Sequence, residues 1–162
     1  MITKFKIFEA FYVTHDNGGN PFAINDDGKY IDFFKNVKQL HRLSWKNDVK
    51  KIFSGDKLDD NSSVLIQLKN NKYMFIGHEI YEFESDEKIT EYYSRIGNSD
   101  VPYPLALSKN YVYLMLEKIY IDKKEFPKDI DWRDPYTYYY ENEKNFGKNK
   151  FKNLKIIDKN RF

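Results

Sequence analysis

The spacing of apolar and polar positions changes several times along this chain, and each change marks a predicted element. Residues 2–13 alternate loosely, with Phe5, Ile7, Phe11 and Val13 on one side and Phe8 and Tyr12 on the other. That pattern predicts a strand with both faces partly covered. Residues 15–21 are almost all turn formers and end it. Asn25-Asp26-Asp27 offers a cap, and Tyr30, Phe33, Phe34, Val37, Leu40 and His41 follow at helical spacing. A second, shorter helix is predicted from Ser44, with Trp45, Val49, Ile52 and Phe53 on its apolar side and Gly55 as its stop. Residues 57–62 form a polar loop.

The period then shortens to that of strands. Residues 64–68 and 73–76 flank Asn70-Asn71, a pair that tolerates the left-handed backbone of a tight hairpin. Residues 79–84 extend it to a meander, with Gly77 at the junction. Ser85 predicts a helix cap, with Ile89, Tyr92, Tyr93 and Ile96 as the buried stripe, Arg95 in the last turn and Gly97 just beyond. After a loop at 98–104, residues 105–107 and 111–117 read as a hairpin turning at Lys109-Asn110, which 118–121 continue. Asp134-Pro135 opens a helix through about Glu143, with proline where its missing N–H does no harm. Residues 151–157 form a terminal strand. The expected class is α+β: a mainly antiparallel sheet of about six to seven strands with three to four short helices packed on it.

A chain of 162 residues suits one domain, and no internal repeat or dividing linker is evident. A domain of this size buries roughly 70% of its unfolded surface and needs no covalent staple. Cysteine is absent, which removes disulfides, cysteine-ligated metals and thiol nucleophiles, and fits a reducing compartment. Residues 1–6 lack the apolar stretch of an export signal, and no run approaches the ~18 residues of a membrane span. Lys, Asn, Ile, Tyr and Phe are abundant, as AT-rich codons favour. Aromatics make up 18% of the chain and are dispersed through predicted elements, so core filling accounts for most.

Charge divides the domain into an acidic body and a basic tail. Residues 144–162 carry six lysines and one arginine against Asp158, a net of +6, whereas 1–143 hold 20 basic and 24 acidic residues, a net of −4. Such a tail suits nucleic acid, an acidic membrane surface or an acidic partner. Lysines flanking a strand are equally an ordinary defence of a sheet edge.

The run Tyr73-Met74-Phe75-Ile76-Gly77, then Ile80-Tyr81-Glu82-Phe83, then 97–104 followed by Tyr111-Val112-Tyr113-Leu114-Met115-Leu116, resembles an uncharacterised protein family of mimivirus-like giant viruses of amoebae. The similarity covers about 64–121, with a fainter echo at Asp134-Pro135-Tyr136 and Tyr138-Tyr139-Tyr140. The resemblance implies a viral protein in the infected cell's cytoplasm or in a virion, and it transfers no catalytic residue.

Several places invite a functional reading. Pro102 and Pro104 stiffen the 97–104 loop, which would display Asn98, Ser99, Asp100 and Tyr103 to a partner or simply position the next strand. Tyr138, Tyr139, Lys148, Lys150, Phe151, Lys152 and Lys155 interleave aromatic and basic side chains, as a single-strand stacking surface does. Asp129, Asp131 and Asp134, with Glu125 upstream, could share a hard cation if the loop curled, although Asp134 is better used as a helix cap. His15, His41 and His78 show no metal-ligand spacing, and the 16–20 turn lacks the Lys and Ser/Thr of a phosphate loop. No cofactor, metal site or catalytic residue is expected. The leading expectation is a non-enzymatic interaction protein that binds a protein partner through a sheet edge, the 97–104 loop or an aromatic surface. Self-association would also cover open edges. The alternatives are single-stranded nucleic-acid binding by the tail and a small carboxylate- or metal-dependent hydrolase or transferase.

Overall fold

The computed structural model describes residues 22–25, 29–35, 38–53, 63–77, 79–93 and 103–159, which form three antiparallel sheets and one α-helix. β1 (Phe22–Asn25), β2 (Tyr30–Lys35) and β3 (Lys38–Ser44) make a three-stranded sheet in that order. β4 (Val49–Phe53), β5 (Val64–Leu68), β6 (Lys72–Ile76) and β7 (Ile80–Glu84) run as a meander. A second meander follows in β8 (Glu91–Tyr93), β9 (Leu105–Leu107), β10 (Tyr111–Leu114) and β11 (Ile119–Asp122). Near the C-terminus, β12 (Asn149–Lys150) extends the second meander beside β11, and β13 (Lys152–Asp158) extends the first beside β7. One segment of chain thus completes two five-stranded sheets.

The strand period sorts side chains into layers. On one face of the central sheet, Val64, Ile66, Leu68, Met74, Ile76 and Ile80 meet Ile31, Phe33 and Leu43 of the three-stranded sheet. On its other face, Leu65, Tyr73, Phe75, Tyr81 and Phe83 meet Tyr92, Ala106, Tyr113 and Met115 of the second meander. The far face of that meander carries Leu105, Leu107, Val112, Leu114, Ile119 and Ile121, covered by Phe126, Tyr136, Tyr139 and Phe146. Tyr136 and Tyr139 come from the helix α1 (Pro135–Glu141). Being covered on both sides, β5 and β6 read as continuous apolar runs rather than alternations.

Tyrosine hydroxyls tie the layers together. Tyr81 donates to the carbonyl oxygen of Met115 at 2.8 Å, and Tyr73 accepts from the Ile89 N–H at 3.0 Å. The Tyr113 hydroxyl is 2.7 Å from Ser85 Oγ, and Tyr92 bonds Ser63. Tyr136 donates to the Pro104 carbonyl at 2.5 Å and accepts from the Leu116 N–H at 3.3 Å. Each ring supplies apolar area while its one polar atom satisfies a group in an irregular segment.

The expected hairpin at 64–76 is present, with Asn70 and Asn71 at φ of 63° and 60°. So are the third strand, the hairpin at 105–114, its continuation at β11 and the proline-led helix capped by the Asp134 side chain. The terminal strand is present, displaced by a residue.

The expected α+β class with three to four helices is wrong. The fold is mostly antiparallel strand, and α1 is the sole α-helix among the described residues. Three predicted helices failed for identifiable reasons. Across 30–41 the chain turns back as β2 and β3, with Ile31 and Phe33 on one face and Asp32 on the other. Asp32 sits opposite Arg42 and is gripped by two bonds of 2.6 and 2.9 Å, a cross-strand pair that a helix could not make. From Ser44, residues 45–48 form a turn in which Asp48 Oδ2 accepts from the Ser44 N–H at 2.6 Å. β4 follows, and a bulge between Val49 and Lys51 brings Val49 and Ile52, three residues apart, to one face while Phe53 meets the other, which imitates helical spacing. At 85–93, Ser85 Oγ donates to the Glu87 carbonyl instead of capping a helix, and Tyr92 and Tyr93 point to opposite faces of β8. The predicted strand at 2–13 lies outside the described residues.

Candidate functional site

Among the described residues, 152–156 form the longest run of exposed positions. The Phe151 N–H donates to the Lys118 carbonyl oxygen at 3.1 Å, and the Phe151 ring stacks on Phe83 at 4.3 Å with 17° between planes. Tyr81 and Tyr113 flank the same ring at 6.0 and 6.2 Å. Phe151 therefore wedges between the two five-stranded sheets at the point where the chain passes from β12 to β13. This buried anchor and the pairing with β7 fix the start of β13.

β13 pairs with β7 on one side only, and no described strand covers its outer side. Residues 152–156 are all exposed, while Ile157 packs against the apolar core and Asp158 is buried. Leu154 and Ile156 are 39% and 42% exposed, two of the three large apolar side chains that the described residues leave open. Ile156 lies opposite Tyr81, so it extends the apolar face of the central sheet out to its rim. A register shift between Lys152 and Lys155, with Asn153 at a φ of 50°, bends the strand there. Asn153 Nδ2 donates to Glu84 at 2.9 Å and holds the bend.

The basic residues along this strip divide into two kinds. Lys152 pairs with Asp86, and Lys148 donates to Glu143 at 2.9 Å while lying 6.0 Å over the Tyr139 ring. Lys150, Lys155 and Lys159 are exposed and have no ion pair among the described residues. Lys155 stands opposite Glu82, which is 3.8 Å from Lys72. His41, half-buried on β3, lies close enough to sense these charges. Burial lowers its pKa from 6.5, Glu82 raises it and Lys155 lowers it further.

The other sequence-predicted site residues are dispersed by the fold. Asn98, Ser99 and Asp100 lie outside the described residues, as do His15 and His78. Tyr103 is half-buried, 5.4 Å from the Tyr136 ring. Tyr139 is buried, and Tyr138 packs 5.9 Å from both Phe126 and Phe146. The rings of Tyr139 and Phe151 thus face protein on both sides, while Lys148, Lys150, Lys152 and Lys155 remain at the surface. Asp131 Oδ1 accepts from the Arg133 N–H at 2.9 Å and Asp134 Oδ1 from the Thr137 N–H at 3.3 Å, so both carboxylates serve turns. Among the described residues no three His, Asp or Glu side chains gather in a metal-holding group.

Sequence reasoning placed the terminal strand to within a residue but missed Leu154 and Ile156 as exposed residues. Their alternation with Lys155 between them was the available signal, because a strand that keeps Ile157 inward must turn Ile156 out. No family model, no curated protein and no solved structure matches this chain.

Proposed function

We propose that the chain is a non-enzymatic protein-interaction module whose docking element is the outer edge of β13. One observation carries this reading: a seven-residue strand, at the edge of its sheet among the described residues, exposes Leu154 and Ile156 between lysines. Among the described residues no strand pairs with its outer side, and an extended segment can add there by main-chain hydrogen bonds. Alternate side chains of the incoming strand would then pack on Leu154 and Ile156. Affinity comes from the backbone pairing and the choice of partner from the side chains. The resemblance to giant-virus proteins would put that partner in an infected cell's cytoplasm or in a virion.

The nucleic-acid alternative has less support, because the rings next to the lysines are engaged within the core. Of the carboxylates considered for catalysis, Asp131 and Asp134 serve a turn and a cap, and Glu125 accepts from the Gly147 N–H.

Panning a random linear-peptide library on the immobilised chain tests the proposal. Enriched peptides should lose binding to the double variant Leu154→Lys/Ile156→Lys, whose far-UV circular dichroism should match the wild type because both sites are exposed. Peptides that bind the double variant as well as the wild type would count against the β13 edge.

A further inference from the structure

The edge of β13 is also charged in one sense, and this bears on what docks there. Between 148 and 159 the chain has five lysines and one acidic residue, Asp158, which is buried. Glu143 and Asp86 neutralise Lys148 and Lys152. Lys150, Lys155 and Lys159 keep their charge free of any described ion pair, one on β12, one at the middle of β13 and one just past its end. Three lysines without a described ion pair therefore line a strip that also carries Leu154 and Ile156. At about 3.3 Å per extended residue, the strip suits a strand of eight or so residues.

We infer that the occupant of this edge is an extended acidic segment of a partner protein, with carboxylates alternating with apolar side chains. The inference rests on the docking reading given above and specifies its partner. Apolar side chains of the segment pack beside Leu154 and Ile156, and its carboxylates meet Lys150, Lys155 and Lys159 around the rim. Charges at such a rim govern partner choice and encounter rate more than total affinity. A second copy of this chain fits less well. Antiparallel pairing about the middle of β13 sets Lys155 opposite its own counterpart, and like charges directly across a strand pair repel. That lysine guards the edge against self-pairing and leaves it open to an acidic strand.

The test uses fluorescent peptides of about eight residues, built from alternating glutamate and valine, threonine and valine, or lysine and valine, titrated into the full chain. The glutamate peptide should bind about tenfold more tightly than the threonine peptide, and the lysine peptide most weakly. Replacing Lys150, Lys155 and Lys159 together with glutamine should erase that difference while leaving threonine-peptide binding unchanged. Raising ionic strength from about 0.05 to about 0.5 M should do the same. Equal binding of glutamate and threonine peptides, both lost in Leu154→Lys/Ile156→Lys, overturns the acidic partner and leaves edge docking standing. Binding of the glutamate peptide that survives this double variant overturns edge docking itself. Oligothymidylate binding that outcompetes the glutamate peptide, or a concentration-dependent dimer in sedimentation abolished by Ile156→Lys, also overturns the inference.

Discussion

The Tyr81 hydroxyl donates a hydrogen bond of 2.8 Å to the Met115 carbonyl oxygen, joining the central sheet to the turn that follows β10. Both residues are almost completely buried, so that carbonyl has no water to fall back on. Tyr81→Phe should keep the ring packing and orphan the carbonyl, at a cost of about 1–3 kcal/mol. Urea denaturation should show a lower midpoint with an unchanged slope. An unchanged midpoint would mean the tie contributes nothing.

The same buried phenols make a prediction for alkaline solution. Burial raises the pKa of Tyr81 and Tyr136 well above 10.0, so the folded chain holds protons that the unfolded chain releases. Their contribution is fully present below pH 10.0 and declines as pH rises beyond it. Denaturation midpoints should fall above that pH, and the fall should be shallower in Tyr136→Phe.

His41 works in the opposite range. Burial lowers its pKa below 6.5, so the unfolded chain binds the proton more readily than the folded one. Stability attributable to this group is present above pH 6.5 and is lost as pH falls below it. Glu82, Lys155 and Asp48 all act on the ring, and the lysine and the burial together outweigh the two carboxylates. Denaturation midpoints between pH 7.5 and 5, roughly spanning the histidine range, should fall for the wild type and less for His41→Gln.

Gly77 closes β6 with its N–H donating to the Glu79 carbonyl at 2.9 Å. A Cβ there would lie 2.5 Å from the Phe75 ring, which is buried and cannot swing clear. Gly77→Ala should therefore cost about 1–3 kcal/mol through overpacking, read as a lower melting temperature. At the preceding hairpin, Asn71 adopts a φ of 60°, where glycine is at ease and a β-branched residue is strained. Asn71→Gly should hold or raise the melting temperature, and Asn71→Val should lower it.

How much was legible in the sequence depended on what each segment meets. The 64–76 hairpin, β7 and α1 were readable because local signals agreed with tertiary demands: two asparagines at the turn, proline and aspartate at the helix start. The 30–53 region misled because aromatic and aliphatic residues are so dense that helical spacing is met by chance. Ile31 and Leu43, which lie off the helical stripe, hold the strand face, and the bulge in β4 resets the period. Tyr92 and Tyr93 posed a similar problem, since two neighbouring tyrosines fit a helical stripe and also the two faces of a covered strand. The lysines of the candidate edge were visible from charge alone. The burial of Tyr139 and Phe151 was not, because it depends on which sheet face α1 covers and on the two sheets that the Phe151 ring separates.

The role of β13 is tested most directly by amide hydrogen exchange across the whole chain, with and without a saturating glutamate–valine peptide. Added main-chain hydrogen bonds at the open edge predict slower exchange concentrated in residues 152–158, and none of that slowing in Leu154→Lys/Ile156→Lys. Slowing confined to other strands, with 152–158 exchanging as fast as in the free chain, would contradict it.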